Sequence, residues 1–133
     1  VVVFLGVGDD ARSRVAAALL AHRSKGRVLA VSASPASVDP GPEMLASLAE
    51  LGVDLEGVTT EPPTAALLEH AQLVVVMGYD RHTPADGRRT EDWWIDDPRG
   101  KGAGAVRCIR DALDRRAQRL LIRMGVAVPT RPR

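Results

Sequence analysis

Gly6-Val7-Gly8-Asp9-Asp10-Ala11-Arg12-Ser13 joins two runs of opposite character. Before it stands Val1-Val2-Val3-Phe4-Leu5, short and wholly apolar, the pattern of a central parallel strand buried on both faces. After it comes the alanine-rich run Ala11 to His22, with Val15, Ala18, Leu19 and His22 on one helical stripe. The order is strand, glycine loop, helix. Such a loop gathers unpaired backbone N–H groups at a helix N-terminus, where the helix dipole favours negative charge. Arg12 adds a permanent, forked cation. The stretch reads as a site for a phosphate-sized oxyanion formed by Gly6, Val7, Gly8, Asp9, Asp10, Ala11, Arg12 and Ser13. It contains no thiol, and it carries two carboxylates where an anion would approach. Asp10 is a candidate N-cap for a helix starting at Ala11, which would close the anion site from within.

Working outward, Arg27 to Ala33 is a second strand candidate, and residues 34–42, rich in Ser, Pro and Gly, form a loop. Glu43 to Leu51 is expected to be a helix with Met44, Leu45, Leu48 and Leu51 inward, stopped by Gly52. Val53 to Thr60 reads as extended or irregular, and Pro62-Pro63-Thr64 starts a helix running to about His70. Leu73 to Met77 is a second clear buried strand. Residues 78–89 form a polar loop, and Glu91 to Ile95 holds both tryptophans in a short fourth strand. A long helix spans about Ala103 to Met124, with Val106, Ile109, Leu113, Leu120, Leu121 and Met124 as its apolar stripe.

The alternation predicts an α/β fold of three layers: a four-stranded parallel sheet flanked by about five helices, in one domain over residues 1–133. Ligands of such sheets bind at the C-terminal edge of the strands, where the loop at residues 6–13 falls. Aromatics are only 3% of the chain, so the core must be aliphatic, which suits a helix-covered sheet. Net charge is +1 with the arginines scattered among acids, unlike the one-sided basic face of a nucleic-acid binder. The single cysteine, Cys108, excludes a disulfide framework and thiolate-rich metal sites. His70 and His82 lack partners at metal spacing, and no cofactor motif is present. With no apolar run as long as a membrane span, the expected compartment is the cytoplasm.

The same residues resemble the low-molecular-weight protein tyrosine phosphatases and the thioredoxin-coupled arsenate reductases. The family pattern is a strand, then Cys, five residues, Arg, Ser, then a helix; here the frame is Gly6, five residues, Arg12, Ser13. Gly8 matches the loop glycine, and Asp9 stands for the family's Asn. Ser32-Ala33-Ser34 is similar to its Ser-Ala-Gly, Leu51-Gly52-Val53-Asp54-Leu55 to its Leu-Gly-Ile-Asp-Leu, and 71–78 to its Ala-Asp-Leu-Val-x-x-Met-Gly. Asp92-Trp93, 97–101 and 106–111 resemble the arsenate-reductase branch. The likeness spans nearly the whole chain, and it implies a low-molecular-weight phosphatase-like fold.

The departures are as consistent as the matches. The nucleophile position is Gly6, the second loop cysteine position is Ala11, and Tyr79 and Thr83 stand where the reductase branch places two redox cysteines. Cys108 matches none of these. Both family reactions begin with thiolate attack, so the resemblance implies a catalytically inactive domain. It would keep an oxyanion pocket for phosphate, sulfate or arsenate, with a binding or regulatory role.

The alternatives are residual or altered phosphatase activity through Asp9, Asp10 or water, and a pure protein-interaction domain with an unidentified partner. In the family Arg12 would grip two oxygens of the anion; paired instead with Asp9, Asp10 or Asp97 it would brace the loop, and both readings stand. Asp97 matches the family general acid, or is a turn residue before Pro98. Of Trp93 and Trp94, one is expected in the core and one beside a cleft. The arginines of the last helix read as a solvated face, and Cys108 as packing filler.

Overall fold

The computed structural model describes residues 1–6, 11–34, 39–58, 60–77, 90–93, 95 and 100–126. Five parallel strands form one sheet: β1 (Val2–Gly6), β2 (Ala30–Ala33), β3 (Thr60–Glu61), β4 (Leu73–Met77) and β5 (Thr90–Trp93). Their spatial order is β3-β2-β1-β4-β5, all neighbours parallel. The helices are α1 (Arg12–Ser24), α2 (Pro42–Ala49), α3 (Ala65–Glu69) and α4 (Ala103–Arg123).

Every residue of β1 and β4 is buried, as apolar runs between two covered faces require. Alternate side chains separate into two cores. Val2, Phe4, Leu73, Val75 and Met77 join the larger cluster with α1, α2 and α4. Val3, Leu5, Ala33, Val74 and Val76 form the smaller one, against Leu67 and Leu68 of α3. The sheet is therefore covered on both faces. Phe4 and Trp93 meet edge to face, ring centroids 5.4 Å apart, which ties the central strand to the edge strand β5. Ala16 and Ala17 are fully buried, and their small side chains let α1 lie close on the sheet.

Helix ends follow local chemistry. α1 ends at Lys25 and Gly26, both at positive φ, with Gly26 N–H returning to the Ala21 carbonyl at 3.0 Å. Pro42 opens α2, and Thr64 Oγ1 accepts from Leu67 N–H to cap α3.

Strand β2 begins at Ala30 rather than Arg27, and Leu29 is 63% exposed. The sheet has five strands rather than four, because β3 is two residues long and too short to show a periodicity. Four helices occur among the described residues. On α2 Leu45 is exposed, and Leu51 lies beyond the helix end and is only half-buried, so Met44, Ser47 and Leu48 form its inward face. The last helix is not uniformly solvated. Arg110 is buried and donates to the Ser47 carbonyl at 2.7 Å and to Glu50 at 2.6 Å, fastening α4 to α2. Asp114, also buried, takes a bidentate pair from Arg23 of α1 at 2.6 and 2.7 Å. Cys108 is exposed, so it lies off the stripe as expected but fills no packing space.

Candidate functional site

β1 is flanked by β2 and β4, so the chain leaves it in opposite directions across the sheet. That reversal makes the C-terminal end of β1 the switch point, where open parallel sheets leave a crevice. Gly6 ends β1 there, and α1 begins six residues later at Arg12. The sequence thus places its glycine loop at the fold's own binding position. Of the expected site residues, Gly6, Ala11, Arg12 and Ser13 are described; Val7, Gly8, Asp9, Asp10 and Asp97 lie outside the described residues, as do Tyr79, Thr83, His82 and Trp94.

The helix N-cap is Ala11, not Asp10, and its methyl group offers no capping acceptor. The backbone carbonyl of Ala11 takes the first helical bond, from Val15 N–H at 3.0 Å. Arg12 is 4% exposed, and its Nη1 donates to the Ile95 carbonyl. This bond brings the segment after β5, two residues before Asp97, onto the first turn of α1. Arg12 therefore braces the site whatever else it binds. Arg14, two residues further along α1, donates to the Val58 and Leu55 carbonyls, each at 3.2 Å, and holds the approach to β3.

Around Gly6 the structure assembles hydroxyls that come from three elements. Ser13 Oγ of α1 lies 2.9 Å from Ser32 Oγ of β2, and Thr60 Oγ1 of β3 is 3.5 Å from the same Ser32 oxygen. Ser34, just past β2, is anchored by its N–H to the Glu61 carbonyl at 2.9 Å. A Cβ placed on Gly6 would stand 3.0 Å from Ser13 Oγ and 3.4 Å from Ser34 Oγ. Sequence reading had marked Ser13 alone of these as a site residue, with Ser32 and Ser34 only as fold markers. The available signal was the pair of serines at the C-terminal end of a strand predicted to lie beside β1.

Trp93 is the core tryptophan, 2% exposed, with its indole N–H donating to Glu91 at 3.0 Å. Two cavities lie away from Gly6. One of about 510 Å³ lies at the opposite, N-terminal edge of β4 and β5, between Gln72, Thr90, Arg123 and Met124. Another, of about 360 Å³, is a groove beside Trp93, Arg119 and Ile122. Among the described residues there is no cluster of metal-ligating side chains, and no helix is long and apolar enough to cross a membrane.

No protein-family model matches the chain. Solved structures do. An arsenate reductase in its phosphate-binding state superposes with a TM-score of 0.76 at 22% identity, over 95% of this chain and 98% of its own. A thioredoxin-dependent arsenate reductase from Corynebacterium glutamicum gives 0.74 at 26% identity, over 93% of this chain and 61% of that longer one. A tyrosine phosphatase from Erwinia amylovora gives 0.73 at 21% identity, over 92% and 91%. The fold is the one that arsenate reductases and protein tyrosine phosphatases share, as the sequence resemblance implied.

Proposed function

We propose that this chain is a member of the phosphatase and arsenate-reductase family that has lost covalent catalysis and binds a tetrahedral oxyanion at the C-terminal end of β1. The observation that carries the reading is Gly6. It ends β1 at the switch point, directly before the helix-opening loop, where thiolate chemistry would need its sulfur. The chain's one thiol, Cys108, is exposed on α4 and belongs to another part of the surface. Losing a covalent nucleophile removes the route itself rather than an increment of rate.

Anion binding is supported by what stays around Gly6. The N-terminus of a helix of 13 residues opens there, with Arg12 in its first turn. The phosphate-binding state of a structural neighbour points to the same ligand class. A domain with this equipment would act as a binding or regulatory module, with phosphate, sulfate or arsenate as its simplest ligands.

Aryl-phosphate hydrolysis and thermal melting test the two halves separately. The wild type is expected to show no turnover. Inorganic phosphate at a hundred times its Kd should add about 2.7 kcal/mol of stability. That raises the melting temperature by roughly 10 °C for a chain of this size. Arg12→Lys keeps the charge but loses the fork, and should lose most of the rise. Turnover by the wild type that disappears in Asp10→Asn would overturn the loss of catalysis. An equal rise in wild type and Arg12→Lys would remove Arg12 from the site.

A further inference from the structure

The space in front of Gly6 has hydroxyl walls, and one of those hydroxyls is left over. Ser13 is 2% exposed and Ser34 4%. Ser13 Oγ is paired with Ser32 Oγ at 2.9 Å. Ser34 Oγ is sealed from solvent and has no hydrogen-bond partner among the described residues. Its backbone is fixed, because its N–H donates to the Glu61 carbonyl at 2.9 Å in the continuation of the sheet. Buried hydroxyls are rarely left unpaired, since burial without a partner forfeits the bond to water.

The direction of that hydroxyl matters. Ser34 Oγ lies 3.4 Å from where a Cβ of residue 6 would stand, so it borders the position that glycine leaves without a side chain. Ser13 Oγ borders the same position at 3.0 Å. The hydroxyl chain can orient the Ser13 proton toward it. If Thr60 donates to Ser32 and Ser32 to Ser13, the Ser13 proton is released to point into the space. The first turn of α1 borders the same volume through Ser13, and the positive end of its dipole favours an acceptor there. Two hydroxyl donors and a helix N-terminus make a place for a negatively charged oxygen.

We propose that Ser34 is a ligand-binding residue, whose hydroxyl donates to one oxygen of a tetrahedral oxyanion that enters the space left by the missing side chain at Gly6. The proposal rests on the oxyanion-pocket reading above and says how that pocket differs from one with a nucleophile in place. With no side chain at position 6 in between, an oxygen of the anion approaches the Ser34 hydroxyl directly. Bond formation to the anion is not involved; the contact is a charge-assisted hydrogen bond.

The test is calorimetric titration of inorganic phosphate into the wild type, Ser34→Ala, Gly6→Ala and the double variant. Phosphate should bind the wild type, and Ser34→Ala should weaken it about tenfold, as loss of one hydrogen bond to a charged group does. The melting temperature of Ser34→Ala without phosphate should not fall, because the lost hydroxyl has no partner within the described protein. Gly6→Ala puts a methyl group in the space and should also weaken binding. The double variant should bind no worse than Gly6→Ala, since the Ser34 contact is already gone. Equal phosphate affinity in wild type and Ser34→Ala overturns the role of Ser34 and leaves the pocket reading standing; this is also the result if Ser34 is satisfied by water alone. No phosphate binding by the wild type overturns both. Should Gly6→Ala fail to fold, the wild type and Ser34→Ala still decide the matter.

Discussion

Gly6→Cys, made in a Cys108→Ser background so that one thiol remains, probes the chemistry of the space at the end of β1. The backbone permits the change, because Gly6 is not among the glycines held at positive φ. Packing resists it slightly. The new Cβ would stand 3.0 Å from Ser13 Oγ, and Ser13 is held by its 2.9 Å bond to Ser32. Ser13 must give by a few tenths of an ångström, a strain worth about 1 kcal/mol. For 133 residues that lowers the melting temperature by about 3–5 °C.

The thiol pKa is the sharper readout. One hydroxyl donating to a thiolate is worth about 1.5–3 kcal/mol, or one to two pKa units downward. Burial at position 6 opposes this, and the second hydroxyl with the helix N-terminus offsets the burial. The introduced thiol should titrate at about 7, against about 8.5 for a free one. Alkylation rate by iodoacetamide, followed from pH 5 to pH 10, gives the value directly. Ser13→Ala in the same background should return it upward by about one unit. A thiol titrating at or above the free value, indifferent to Ser13→Ala, would refute the account of this space as one that favours negative charge.

The fold's own supports give two further predictions. Arg23→Ala strips a bidentate partner from Asp114, whose side chain is only 10% exposed, and leaves it with Gln118 at 3.1 Å. The loss should be about 3 kcal/mol in urea unfolding, and less than about 1 kcal/mol would mean that the α1–α4 contact does not depend on the pair. Acid sensitivity should involve Glu91. Its carboxyl is held below the ordinary 4.5 chiefly by the hydrogen bond from Arg123, against the opposing cost of burial, with a further bond from Trp93. A carboxyl with a depressed folded pKa adds stability that is complete above the unfolded value and disappears as pH falls through the folded one. Melting temperatures measured from pH 7 down to pH 3 should therefore drop less steeply below pH 4.5 for Glu91→Gln than for the wild type. Parallel curves would remove Glu91 from the acid response.

The strands that the sequence displayed best are those buried on both faces. β4 spans Leu73–Met77, the bounds its apolar run suggested, and β1 differs by one residue at each end. β2 was less legible because Val28 and Leu29 continue its apolar run, while only Ala30 to Ala33 pair with β1. β3 has two residues and no pattern to read. The site was legible as a loop but not as a pocket. Its glycine, arginine and serine frame is contiguous in sequence, whereas Ser32, Ser34 and Thr60 reach it across the sheet from β2, its end and β3. Parallel register sets that meeting, since Leu5 lies opposite Ala33 and Ser32 opposite Thr60.

Arg110 and Asp114 show a second kind of hidden signal. The arginines of this helix read from sequence as a solvated face, yet Arg110 and Asp114 stand four residues apart on the buried stripe, between Val106 and Ala117. A charge at such a position implies a partner on a facing element, because an unpaired buried ion is too costly to keep. The partners, Glu50 on one side and Arg23 on the other, are distant in sequence and could not be named from it.

Gly6 is more than the absence of a sulfur. Ser13 Oγ lies 3.0 Å from the place where any side chain at position 6 would begin, closer than such atoms normally settle. The hydroxyl chain from Thr60 through Ser32 to Ser13 thus uses the room that glycine leaves. A side chain introduced at position 6 has to move a buried, hydrogen-bonded serine. The same geometry separates two readings of the chain that follows β1. A loop that only lost its nucleophile would accept Gly6→Cys without strain. A loop rebuilt around a glycine should lose a few degrees of melting temperature on that substitution, because Ser13 must give way to the new Cβ.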